Sequence, residues 1–285
     1  MLEIFDILQY TFIQRAILAT ILTSIACGVI GVYVVTKKIV FIAGGISHAC
    51  FGGIGLSFYL GLNPLIGLLP FSIFSAAALG FLSKKTKVSE DSAIGILWSL
   101  GVAVGVILIY LTPGYAPDLM TYLFGNILTV PAFDIWLMVA IDVIILAIVV
   151  LFFKEFLSMC FDEEYTRVAG VSSDKIYLLL LCLLALATVA MIKVVGIILI
   201  IAMLSIPASI SRKFSHNMKT MMVYSSIIGT VLSLAGLFLS YRFNLPSGAT
   251  IILVMSVVYL FIVGASEFQK RSMRKNIKDD KADFD

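Results

Sequence analysis

Charge is scarce in this chain: Asp, Glu, Lys and Arg make up 13% of its 285 residues, while 61% are hydrophobic and the mean hydropathy is +1.09. Globular proteins in water carry about 25% charged residues, so a water-soluble fold is excluded. The four cysteines (Cys27, Cys50, Cys160 and Cys182) show no CxxC spacing, which argues against a disulfide framework or a zinc finger. No G-x-x-x-x-G-K-[ST] occurs, so the chain does not hydrolyse nucleotide through a P-loop. G-x-S-x-G and H-E-x-x-H are also missing, and an enzyme is not indicated. Basic patches with interleaved aromatics are absent outside the C-terminal tail, which speaks against nucleic acid as a partner. The start, "MLEIFDILQYTFIQRA", is acidic where a signal peptide is basic; mature sequence, lying as an interfacial helix, is the expectation there.

What the chain has in quantity is long apolar runs. A stretch of about 18 residues or more crosses a hydrocarbon core of roughly 30 Å at about 1.5 Å per residue. Such runs predict an all-α polytopic membrane protein with eight or nine spans, at 16–35, 40–60, 63–83, 92–112, 132–153, 176–192, 194–210, 220–241 and 248–265. With nine spans, Lys37 and Lys38, Lys84 to Lys87, Lys154 to Lys175, Arg212 and Lys213, and the tail all fall on one side. The positive-inside rule makes that side the cytoplasm, with the N-terminus outside. Lys193 and Arg242 sit near span ends, where snorkelling accounts for them. Asp91 reads as a cap for the fourth span. The outer connection from Thr112 to Pro131 is broken by Pro-Gly and Ala-Pro steps, and is expected to re-enter or lie along the membrane. The chain thus divides into one transmembrane domain, 1–267, and a charged cytoplasmic tail, 268–285, expected to be disordered and in contact, at most, with lipid headgroups.

Polarity inside a membrane is costly and marks function. The chain has two histidines; His216 belongs to a solvated loop, whereas His48 lies at mid-depth in the second span. Residues 41, 45, 48, 52, 55 and 59 share one face and read Phe, Gly, His, Gly, Gly, Tyr, a small-residue pattern that brings another helix close. Gly44, Gly45, Ser47 and Gly52 are therefore candidate packing positions around His48. The imidazole is either a divalent-metal ligand or a packing group bonded to a neighbouring carbonyl. Cys50 lies about 160° away around a regular helix, so a joint site with His48 requires a break near "AGG". Asp142 in the fifth span faces a cavity or nothing; it would be the coupling carboxylate of an ion-driven secondary carrier, the alternative reading.

Between the fifth and sixth spans, residues 155–175 read "EFLSMCFDEEYTRVAGVSSDK". Asp162, Glu163 and Glu164 open about two helical turns that Gly170 closes, either a docking element for a partner or an ordinary solvated loop.

The stretches "ISHACFGGIGLSFYLG", "EDSAIGI", "PDLMTYLFGNIL", "FDEEYTRVAG", "KVVGIILIIAMLSIPASIS" and "LPSGATIILV" occur in this order over nearly the whole chain. Together they resemble the permease subunits of ABC transporters for manganese, zinc and iron. That resemblance implies an ABC importer permease fold in a prokaryotic plasma membrane, assembled as a homodimer. It further implies a cytoplasmic ATPase engaged at Asp162 to Gly170, an extracytoplasmic metal-binding protein as donor, and a metal route past His48 worked by alternating access. The family commonly has Asp one turn before this histidine, where this chain has Gly44. With that oxygen ligand missing, the expected cargo moves from manganese toward zinc, carried and not permanently bound.

Overall fold

The computed structural model describes residues 9–86, 88–113, 119–125, 127–192 and 194–282. The regular structure among those residues is all helical, with no strand. In chain order the helices are α1 (Thr11–Lys37), α2 (Val40–Tyr59), α3 (Pro64–Lys85), α4 (Glu90–Tyr110), α5 (Leu119–Phe124), α6 (Ala132–Leu151), α7 (Phe153–Phe161), α8 (Glu163–Val168), α9 (Ser173–Ile192), α10 (Ile197–Phe214), α11 (Met218–Phe243) and α12 (Ser247–Ala282). Nine of the described helices are long and apolar enough to cross a membrane, and they fall on the nine runs read from the sequence.

Their ends follow from local chemistry. The side chains of Asn63, Ser89 and Asn217 accept backbone N–H bonds at the starts of α3, α4 and α11, satisfying donors that have no partner within the helix. Ser89, not Asp91, is therefore the cap of α4, and Asp91 lies in the first turn, where its charge suits the helix dipole. α12 also departs from expectation, because its backbone stays helical to Ala282 where the tail was expected to be disordered. No Gly or Pro follows Gly264, and a run rich in Lys, Arg and Asp carries no breaker to stop the helix. The N-terminal segment 1–8 and Lys193 lie outside the described residues.

The bundle has two halves. α2, α3 and α4 pack on one another, while α1 packs with α6, α10 and α11, and α12 closes on α10 and α11; α9 and α10 bridge the two groups. Small residues set how close these helices come. A Cβ on Gly101 would run into the backbone of Ala49, and one on Gly55 into the backbone of Gly105, so α2 and α4 touch main chain to main chain. At the end of the bundle opposite the basic loops, α5 and a 3-10 turn, Ile127–Thr129, fold back onto α1, α10 and α12. Gly125 and Gly196 both hold positive φ (65° and 82°) and stand backbone to backbone, with Gly248 against the Phe124 carbonyl. Side chains at these left-handed positions would be strained and would also clash.

Candidate functional site: an imidazole at a three-helix junction and an acidic helix at the basic end

His48 sits about 12 Å along α2 from Val40, close to mid-membrane. It is half-buried at a junction of three helices. Its Nδ1 lies 3.0 Å from the Gly44 carbonyl oxygen, one turn back on the same helix. A carbonyl can only accept, so Nδ1 carries the proton and Nε2 keeps its lone pair for a ligand. This is how a metal-binding imidazole is commonly oriented by a second partner. The flat of the ring is covered by Trp98 from α4, with ring centroids 3.8 Å apart and planes inclined by 20°. α10 contributes Ile201, whose Cδ1 would lie 3.3 Å from a Cβ on Gly44, and Trp98 Cζ3 would lie 3.7 Å from it.

The neighbouring candidates separate clearly. Gly45 packs on Ile94 of α4 and Gly52 on Phe71 of α3, while Ser47 is fully buried and donates to the Ala43 carbonyl at 2.7 Å. The two glycines are close-packing positions between helices, and Ser47 is bonded within its own helix. Cys50 is not brought to His48: α2 runs unbroken through "AGG", so the two stay about 160° apart around the helix, and the thiol is fully buried. Among the described residues no group of three or more His, Cys, Asp or Glu side chains is gathered for an ion. Trp98 escaped the sequence reading, since nothing in periodicity ties residue 98 to residue 48. The available signal was its rarity: it is one of two tryptophans, set inside a span and not at a membrane interface where the residue usually sits.

Asp142 lies on α6 at 4% exposure, its Oδ2 without a hydrogen-bond partner, within electrostatic reach of Cys27 on α1. Cys27 in turn donates to the Met191 sulfur at 3.3 Å. This cluster stands in the interior of the α1, α6 and α9 packing, and does not include His48.

At the basic end, α7 continues from α6 after a bend at Phe152 and buries Phe156 and Met159 against the bundle, with the Phe156 ring 5.2 Å from that of Tyr33. α8 then begins where Asp162 Oδ1 accepts from the Tyr165 N–H at 2.9 Å. It ends at Ala169 and at Gly170, whose φ of 81° permits the Val171 N–H to reach back to the Thr166 carbonyl. The two helical turns read from the sequence are thus present with both of their ends. Lys37, at the end of α1, pairs with Glu163 and donates to the Met159 carbonyl at 3.0 Å, tying the loop to the bundle. Outward, Phe161, Tyr165 and Val168 are 69%, 63% and 88% exposed beside the exposed acids Asp162 and Glu164. Burial pushes the nearby Cys160 thiol up to about 11, Lys37 drawing it down and Glu163 raising it further.

Comparison with known proteins agrees in kind. A family model described as the ABC 3 transport family matches residues 9–266. The chain is 47% identical over 253 residues to an uncharacterized membrane protein of Synechocystis sp., covering 89% of this chain and 90% of that one. It is 36% identical to the manganese transport system membrane protein MntC of Listeria monocytogenes over 91% of this chain and 92% of the relative. Among solved structures, PsaBC from Streptococcus pneumoniae in complex with Fab superposes with a TM-score of 0.82 at 34% identity, covering 91% of this chain and 94% of that one.

Proposed function

This chain belongs to the ABC 3 transport family, and on that premise we propose that it carries a divalent transition metal ion past His48, driven by a separate ATPase docked on α8. It is a multi-pass protein of a prokaryotic plasma membrane and a transport subunit, not an enzyme. The observation that carries the reading is the half-buried imidazole at mid-membrane, its Nδ1 held by a carbonyl and its Nε2 free to meet an ion. Zinc, favoured from the missing carboxylate alone, loses that preference: a relative over most of the chain is named for manganese, so manganese stands level with zinc as cargo.

A conduit must hold its ion weakly enough to release it, and one nitrogen per subunit meets that condition. A second copy of the chain would supply the facing wall of the route, and an extracytoplasmic binding protein would deliver the ion. The basic end faces the cytoplasm, and the ATPase meets the apolar stripe of Phe161, Tyr165 and Val168 flanked by Asp162 and Glu164. Closure of the ATPases moves α8; Lys37 passes that motion to α1, and the junction around His48 changes the side to which it opens.

The test is uptake of manganese and of zinc into vesicles holding the chain with its ATPase. His48→Ala should lower ATP-driven uptake about tenfold or more. Uptake unchanged by that substitution removes His48 from the route. Uptake driven by a proton gradient without nucleotide overturns the importer reading in favour of a carrier working through Asp142.

A further inference from the structure

We propose that Trp98 is a positioning residue that sets the ion selectivity of the route by closing one face of His48 to oxygen donors; this rests on His48 lying in the route. Two rings with centroids 3.8 Å apart and inclined by 20° leave no room for a water molecule between them. An ion can approach the imidazole at its edge, where Nε2 is, but gains no oxygen ligand from the covered side. The stack also fixes the ring plane, so the lone pair of Nε2 points in one direction while Nδ1 stays on the Gly44 carbonyl.

Trp98 cannot back away. It stands one turn before Gly101, where α4 touches the backbone of Ala49, and Gly105 touches the backbone of Phe51 a turn later. The indole is thus mounted on a helix locked against the helix that bears the imidazole. The same indole governs position 44. A bare Cβ there would lie 3.3 Å from Ile201 Cδ1, tighter than an ordinary contact, and 3.7 Å from Trp98 Cζ3, so Ile201 and the indole are the first groups that a longer side chain would meet. Position 44 is one turn before His48 and would place a carboxylate beside it. Trp98 and Gly44 therefore act as a pair that keeps carboxylate oxygen out of the donors this chain supplies. Nitrogen donors suit zinc and its neighbours, and added carboxylate oxygen suits manganese.

The experiment measures manganese and zinc uptake in competition, with the chain and its ATPase in vesicles, for wild type, Trp98→Phe, Trp98→Ala, Gly44→Asp and the double variant Gly44→Asp/Trp98→Ala. Binding of Mn2+ alone to each purified chain, followed by electron paramagnetic resonance, gives a readout independent of turnover. Gly44→Asp with Trp98 in place should lose uptake of both ions. Removing the indole should restore it and raise the manganese-to-zinc ratio about tenfold over wild type, with tighter Mn2+ binding. Trp98→Phe keeps a flat ring over the imidazole and should keep the wild-type ratio. Trp98→Ala alone should change the ratio. Substitutions at 44 and 98 whose effects simply add overturn the proposal, as does a Trp98→Ala chain with the ratio of Trp98→Phe. His48→Ala included alongside separates the two readings. Undiminished uptake there removes the route through His48, whereas lost uptake there with additive effects at 44 and 98 removes only the role of Trp98.

Discussion

A methyl group added at Gly101 would enter the backbone of Ala49, whereas one added at Gly95, two turns earlier on the same helix, would meet nothing within 4 Å. Gly101→Leu should therefore pry α2 from α4 and destabilise the purified chain by about 3 kcal/mol, lowering its thermal midpoint, while Gly95→Leu leaves the midpoint in place. A buried carboxyl with an unpartnered oxygen is a cost to the fold, so Asp142→Asn should leave the midpoint unchanged or raised. If the ATPase drives transport, that variant also retains ATP-driven uptake in the same vesicle assay. Single residues were unevenly legible in the sequence. His48 was visible because an imidazole set within an apolar run is costly to bury and stands out against the hydrocarbon around it. Its stacking partner was not, because the contact between residues 48 and 98 exists only once two helices are laid together. Cys50 went the other way: adjacent in sequence, it is carried to the far side by a helix that the flanking glycines do not break.

α8 is held at its start by the Asp162 carboxylate, and to the bundle by the Lys37–Glu163 pair and by Arg167, which pairs with Asp174 at the start of α9. Loss of the cap in Asp162→Ala should cost about 1 kcal/mol and loosen the loop. Cys160 reports on this, because burial pushes its thiol up to about 11 and the thiolate is the species that reacts. In a chain whose other cysteines are alanine, alkylation of Cys160 at pH 8 should run about a hundredfold slower than that of a free thiol. Asp162→Ala should speed it, since release from burial lowers the thiol again and restores thiolate at that pH. Lys37→Ala should weaken the link between ATP hydrolysis and uptake, read as more nucleotide hydrolysed per ion carried. The acids and the closing glycine of this helix were legible because capping is written in three or four adjacent residues. Lys37 was legible only as a topological charge; its pairing with Glu163 joins positions 126 residues apart, which no local pattern encodes.

Across the whole molecule, the nine spans were legible because the requirement that a membrane helix satisfy its own backbone leaves one solution for each apolar run. The identity of the cargo was not, since among the described residues no group of three or more His, Cys, Asp or Glu side chains is gathered whose donor types would single out an ion. Large apolar side chains stay exposed on several spans, among them Phe74 of α3, Ile96 and Leu100 of α4, and Leu253 and Phe261 of α12. In a membrane, lipid or any chain packed alongside covers such side chains. The purified chain without its partner should hydrolyse no ATP, checked by phosphate release, because the sequence holds no P-loop. At the end of the bundle away from the basic loops, three glycines bring the backbones around Phe124, Val195 and Gly248 into direct contact. Such a junction is a weld and not a hinge: the plug formed by α5 and the 3-10 turn has no slack to flap by itself. Any movement at that end of the bundle is therefore expected to carry α5, the 3-10 turn, α10 and α12 together.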